Sequence, residues 1–121
     1  MEKNILIVDD DKLFLRALGQ KLLDANYNLI TTSKVNDAYV KITNKKFDIV
    51  ICDLMIDDLT GVDLIRAIKQ NVSENIPIIV VSSLDYGKKV IDDLGLINVS
   101  FIHKSKVFEE IVEVIESLTK K

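Results

Sequence analysis

The chain is poor in the residues that punctuate, cross-link or anchor a fold. Of 121 residues, one is proline, four are glycine, one is cysteine and none is tryptophan. A single cysteine excludes an internal disulfide, so a hydrophobic core has to hold the fold. Cys52 lies within an apolar run and reads as a buried thiol in a reducing compartment. Low glycine and proline content excludes a Gly/Ser/Pro-rich linker, and no repeat or low-complexity tract is visible. No apolar run approaches the roughly 20 residues of a membrane-spanning helix. The first run, Ile5 to Val8, is too short for a secretory signal and leads straight into three aspartates. The cytoplasm is therefore the expected location. Charge of one sign is also lacking: the formal net charge is -3, and no basic cluster stands out. Direct nucleic-acid binding needs clustered Lys and Arg, so it is not expected.

What is present is a regular alternation. The length suits one domain, residues 1–121. Four short runs, Ile5 to Val8, Ile49 to Cys52, Ile78 to Val81 and Val99 to Ile102, are rich in Ile and Val without polar alternation. Such runs predict strands of a parallel sheet covered on both faces. Leu29 to Thr32 is more polar and predicts a strand at a sheet edge. Pro77 opens the fourth run, where a missing N–H does least harm. Between the runs, apolar residues recur at helical spacing. Phe14, Leu18, Leu22 and Ala25 line a helix over 13–25. Val107, Phe108, Ile111, Val112, Ile115 and Leu118 line a final one. Ala38 with Ile42, and Leu64 with Ile65 and Ile68, mark two shorter helices. A weaker helix over 87–94 is closed by Gly95. Five strand–helix alternations predict an α/β, doubly wound, five-stranded parallel sheet with five helices.

In such a sheet, ligands bind beyond the carboxyl ends of the strands. Polar residues fall at those ends. The first strand runs into Asp9, Asp10 and Asp11, the third into Asp53, the fourth into Ser82 and Ser83, and the fifth into Lys104. Two carboxylates about 4 Å apart repel by about 4 kcal/mol at an effective dielectric near 20. A dication removes that repulsion, and an all-oxygen donor set favours Mg²⁺. A carboxylate can accept a phosphoryl group as an acyl phosphate, with Mg²⁺ and a lysine to balance the phosphoryl oxygens. Asp53 stands alone on a central strand and is the best nucleophile. Asp9 and Asp10 are adjacent and suit a metal, while Asp11 suits the helix N-cap.

The segments Ile5–Asp11, Asp48–Asp53, Pro77–Ser83 and Phe101–Lys104 together resemble the receiver domains of two-component response regulators, over nearly the whole chain. The resemblance implies the flavodoxin-like strand order 2-1-3-4-5. It implies Asp53 as phosphoacceptor, Asp10 as direct Mg²⁺ ligand, Asp9 acting through water, and Met55 offering its backbone carbonyl to the metal. Ser82 matches the hydroxyl that turns toward the phosphoryl group, and Lys104 the lysine that pairs with it. Phe101 matches the aromatic whose rotamer reports the switch, and Gly61 the glycine that closes the loop after the acceptor. Two positions depart from the family. Asp57 and Ser105 stand where it usually has prolines, the second often after a cis peptide. A cis bond before serine would cost roughly 2.5–4 kcal/mol, so a trans or strained linkage is expected.

The function implied is a signalling switch. A histidine kinase or phosphotransfer protein would phosphorylate Asp53, and the face of the fourth helix, fifth strand and fifth helix would change shape for a downstream protein or a fused output domain. The only catalysis implied is self-phosphorylation and slow hydrolysis. Homodimerisation through that face is compatible with the sequence, and a membrane partner is not expected. Met55 and Leu84 flank the acceptor and are expected to hinder water. Asp57 with Asp58 reads as a solvated turn, and His103 as a surface or partner contact facing away from Lys104. Two other readings meet the same residues: a receiver that binds partners without turning over phosphate, and a small Mg²⁺-dependent phosphohydrolase. The second lacks material for a substrate lid and a Gly-rich phosphate loop.

Overall fold

The computed structural model describes residues 2–56 and 59–120, with the backbone alone at 59 and 60. In chain order it contains β1 (Asn4–Val8), α1 (Lys12–Asp24), β2 (Asn28–Thr32), α2 (Val35–Asn44), β3 (Ile49–Asp53), β4 (Met55–Ile56), β5 (Leu59–Thr60) and α3 (Gly61–Asn71). There follow β6 (Ile78–Ser82), α4 (Gly87–Leu94), β7 (Val99–His103), a 3₁₀ turn (Lys104–Lys106) and α5 (Val107–Thr119). The five long strands form one parallel sheet in the order β2-β1-β3-β6-β7. Counting long strands alone, this is the expected flavodoxin-like order.

The apolar runs explain the layering. Successive side chains of a strand point to opposite faces, so an unbroken Ile/Val run fills both. Ile5, Ile7, Ile49, Ile51, Ile79 and Val81 pack against α1 and α5 through Leu18, Leu22, Val107, Ile111 and Ile115. Leu6, Val8, Val50, Cys52, Ile78 and Val80 pack against α2, α3 and α4 through Ala38, Ile42, Leu64, Ile65, Ile68 and Ile91. Each fully buried Ile, Leu or Val is worth about 1.5–3 kcal/mol of transfer free energy. The more polar second strand lies at one edge, as expected.

Local signals set the helix ends. The Asp11 side chain accepts the Phe14 N–H at 3.1 Å and caps α1. Gly95 closes α4 in the left-handed region. Phe108 departs from the expected buried stripe: it is 39% exposed, and its ring meets the Phe14 ring edge-on, centroids 5.8 Å apart. The sequence also predicts a loop, closed by Gly61, after Asp53. The structure pairs β4 with β5 there as a short antiparallel ribbon. Two residues per arm are too few to show a period-2 pattern. The acidic turn expected at Asp57 and Asp58 lies outside the described residues.

Away from these ends, Lys69 is buried on α3 and its ammonium donates to the carbonyls of Glu74 and Ile76. It holds the α3–β6 connection against the start of β6.

Candidate functional site

The carboxyl ends of β1, β3, β6 and β7 converge on one rim of the sheet. Asp9, Asp10 and Asp53 each bring a carboxylate oxygen to within 4.8 Å of the others. Asp9 follows β1 directly and is fully buried. Its backbone N–H donates to Thr32 O at 3.1 Å, and its Oδ1 accepts the Asp11 N–H at 2.9 Å. Asp53 ends β3 and is largely covered, whereas Asp10 is exposed. Lys104, directly after β7, spans two of the acids. Its Nζ lies 2.8 Å from Asp9 Oδ2 and 3.2 Å from Asp53 Oδ2. It also stands over the Phe14 ring, 4.4 Å from the centroid, an arrangement that favours a cation further.

The electrostatics follow from this crowding. Burial raises the Asp9 pKa above the usual carboxylate range, against the opposing pull of Lys104 and the Asp11 N–H, and the Asp53 charge adds to the rise. Burial disfavours the Lys104 charge too, but the Asp9 and Asp53 carboxylates outweigh it and hold the ammonium pKa above its ordinary value. Asp9 Oδ2 is buried and faces the Lys104 ammonium. A buried carboxylate beside two further carboxylates, all offering oxygen, fits a hard divalent cation. One lysine does not neutralise three acids.

The glycine at 61 is demanded by this corner. A Cβ there would stand 1.9 Å from the Asp53 carbonyl oxygen, and the Gly61 N–H donates to Leu54 O at 2.6 Å. The ribbon can therefore return close beneath Asp53 only with no side chain at 61. Met55 opens the ribbon, is 51% exposed, and its N–H points to Asp53 Oδ1 at 3.5 Å. Ser82 is buried at the end of β6, and its Oγ accepts the Leu84 N–H at 3.1 Å. Phe101 is half-buried on β7 and packs against the cluster that contains Leu54 and Ile91. Cys52, next to Asp53 in β3, is buried, and its thiol donates to Asp53 O at 3.1 Å.

The structure thus brings Asp9, Asp10, Asp53 and Lys104 together at one rim, with Ser82 at the end of β6, Met55 at the start of β4 and Phe101 midway along β7. Sequence reasoning missed Phe14, whose helical spacing marks it as core. It also missed the contacts of His103, which joins Ser83 and Ser105 rather than standing free. Among the described residues no peptide bond is cis, so the Lys104–Ser105 linkage is trans.

Comparison with known proteins agrees with this geometry. The family model for the response regulator receiver domain matches residues 5–116. The chain is 28% identical over 121 residues to the nisin biosynthesis regulatory protein NisR of Lactococcus lactis subsp. lactis, covering 100% of this chain and 52% of that protein. It is 35% identical over 91 residues to the response regulator ArlR of Staphylococcus aureus, covering 75% of this chain and 42% of that protein. The chain therefore spans about half the length, or less, of these curated relatives. In fold it is similar to the chemotaxis response regulator CheY4 of Vibrio cholerae, with a TM-score of 0.86, 19% identity and coverage of 98% and 99% of the two chains. The receiver domain of the Francisella response regulator 1452 gives a TM-score of 0.86 at 24% identity, covering 98% of each chain. No helix among the described residues is long and apolar enough to cross a membrane. Fold, rim chemistry and family match agree: the chain belongs to the response regulator receiver domain family of two-component systems.

Proposed function

We propose that the chain, as a single receiver domain, is a Mg²⁺-dependent phosphoacceptor switch with Asp53 as the modified residue. One observation carries this reading: three carboxylates from two strand ends share a pocket with a lysine that bridges Asp9 and Asp53. The donor is a phosphohistidine of a histidine kinase or phosphotransfer protein. An Asp53 carboxylate oxygen attacks phosphorus, the P–O bond forms as the donor's P–N bond breaks, and the electron pair leaves with the imidazole nitrogen. The product is an acyl phosphate.

Asp10 and Asp53 would hold Mg²⁺ directly, with the Met55 carbonyl as a third ligand and Asp9 acting through water. When bound, the ion offsets the charge that gathers on the equatorial phosphoryl oxygens. Lys104 supplies a second positive group at the same oxygens and moves part of its attention from Asp53 Oδ2 to the product. Asp9, buried and oriented by Asp11, keeps Lys104 aimed across the pocket. Ser82 exchanges the Leu84 N–H for a phosphoryl oxygen, donating its hydroxyl. That movement opens space for Phe101 and alters the face formed by α4, β7 and α5, biasing a pre-existing two-state equilibrium. A downstream protein or a fused output domain reads that face.

The test is a small-molecule phosphodonor with and without Mg²⁺, read by intact mass. A single base-labile phosphoryl adduct that needs Mg²⁺ and disappears in Asp53→Asn is expected. No adduct on the folded wild type, or an adduct that survives Asp53→Asn, would refute the proposal.

A further inference from the structure

His103 is the only histidine of the chain, and it joins two loops that the phosphoacceptor reading sets in motion. On one side its Nδ1 accepts the Ser105 backbone N–H at 3.2 Å and lies 2.8 Å from Ser105 Oγ. This makes His103 the N-cap of the 3₁₀ turn Lys104–Lys106. On the other side its Nε2 lies 3.2 Å from the Ser83 carbonyl oxygen, in the loop between β6 and α4. The Asp85 carboxylate of that loop stands 3.5 Å from Nε2.

These partners select the tautomer. A backbone N–H can only donate, so Nδ1 must carry its lone pair. A carbonyl oxygen can only accept, so Nε2 must carry the proton. Both demands are met by the Nε2–H tautomer, and the Asp85 carboxylate faces the same nitrogen. The ring therefore bridges the residue after Lys104 and the residue after Ser82. Ser82 itself is held by the Leu84 N–H at 3.1 Å, so the carbonyl that His103 grips sits inside the Ser82–Leu84 turn.

We propose that His103 is a positioning residue: as the Nε2–H tautomer it clamps the Lys104 turn to the Ser82 loop, so that the two groups that close on a phosphoryl group are placed together. This rests on the phosphoacceptor reading of Asp53. His103 touches no reacting atom; it acts through Lys104 and Ser82. With the clamp removed, the ends of β1 and β3 that carry the acids stay fixed by the sheet, but Lys104 and Ser82 lose their common reference.

The experiment has two readouts on the full chain. Imidazole ¹⁵N spectra of the wild type near neutral pH are expected to show a proton on Nε2 and none on Nδ1. A proton on Nδ1 overturns the clamp whatever the phosphorylation result. Phosphorylation by acetyl phosphate with Mg²⁺ is then compared in the wild type, His103→Leu and His103→Asn. His103→Leu is expected to slow phosphorylation about tenfold, the rate equivalent of one lost net hydrogen bond, at an unchanged Mg²⁺ Kd. His103→Asn, whose amide oxygen still accepts the Ser105 N–H, recovers part of that loss. An unchanged rate in His103→Leu overturns the role, and so does a Mg²⁺ Kd that weakens in step with the rate. A wild-type chain inert to the donor overturns the phosphoacceptor reading and with it the positioning role, whereas a reactive wild type with a normal His103→Leu rate overturns the clamp alone.

Discussion

The Phe101 ring occupies the space that a side chain at Gly87 would need. A Cβ at position 87 would lie 2.5 Å from Phe101 Cε1 and 2.9 Å from Cζ. The contacting atoms are the far end of a side chain that can swing, so the conflict has a conformational solution.

Gly87→Ala should therefore displace the ring rather than break α4. The expected result is loss of the nuclear Overhauser contact between the Phe101 ring and the residue 87 Hα, with a stability loss of about 1–3 kcal/mol for forced repacking. A retained contact at wild-type stability would show that the backbone of α4 yields instead.

The strands, both core faces and the acidic corner were legible because they rest on short-range signals, whereas the strand order followed from the resemblance to receiver domains. Unbroken Ile/Val runs mark strands buried on both faces, and a polar residue after each run marks a rim. The relation of Gly87 to Phe101 was not legible. It joins the start of α4 to an edge strand, and nothing local in either segment encodes the distance. The β4–β5 ribbon escaped for the opposite reason, being too short to carry a period. Phe108 misled because its helical spacing matches the core stripe, while its position in the first turn of α5 leaves it at the rim beside Phe14.

Met55 is half exposed beside Asp53, and its thioether side chain offers no strong hydrogen-bonding group to hold a water molecule. Met55→Asn should shorten the lifetime of the phosphorylated form several-fold, on the order of 3–10 times, by orienting a nucleophilic water. Decay followed by intact mass after removal of the donor checks this. A lifetime equal to that of the wild type would remove Met55 from the account.

Lys69 tests the other end of the sheet. Its buried ammonium supplies donors to the carbonyls of Glu74 and Ile76, and burial lowers its pKa below that of an ordinary lysine. Lys69→Met leaves both acceptors unmet and should cost about 1–3 kcal/mol in urea unfolding. The phosphorylation rate should not change, because these contacts lie at the amino end of β6. A slower reaction in the folded variant would contradict that separation.

Tyr27 supplies a pH signature. Burial first, then the hydrogen bond and charge of Glu116, push its phenol up to about 12; Glu116 is also paired with Lys3 at 3.2 Å. The folded state holds the phenolic proton more tightly than the unfolded chain, whose reference value is 10.0. Its stabilising contribution is therefore complete below about pH 10 and is lost as pH rises toward about 12. Tyrosinate absorbance during an alkaline titration should show a late component that Tyr27→Phe removes. In a Glu116→Gln variant the component should move only part of the way toward the ordinary phenol range, because burial remains the first cause.

The buried sulfur of Cys52 has one more use. Packed beneath Asp53, and with burial raising its pKa, it is closed to alkylating reagents while the β3 segment stays in place. As the only thiol, it makes covalent labelling a single-site clock for opening of the central strand. Any agent that tightens the neighbouring acidic corner should slow that clock, so ligand occupancy can be timed in unmodified protein without a probe.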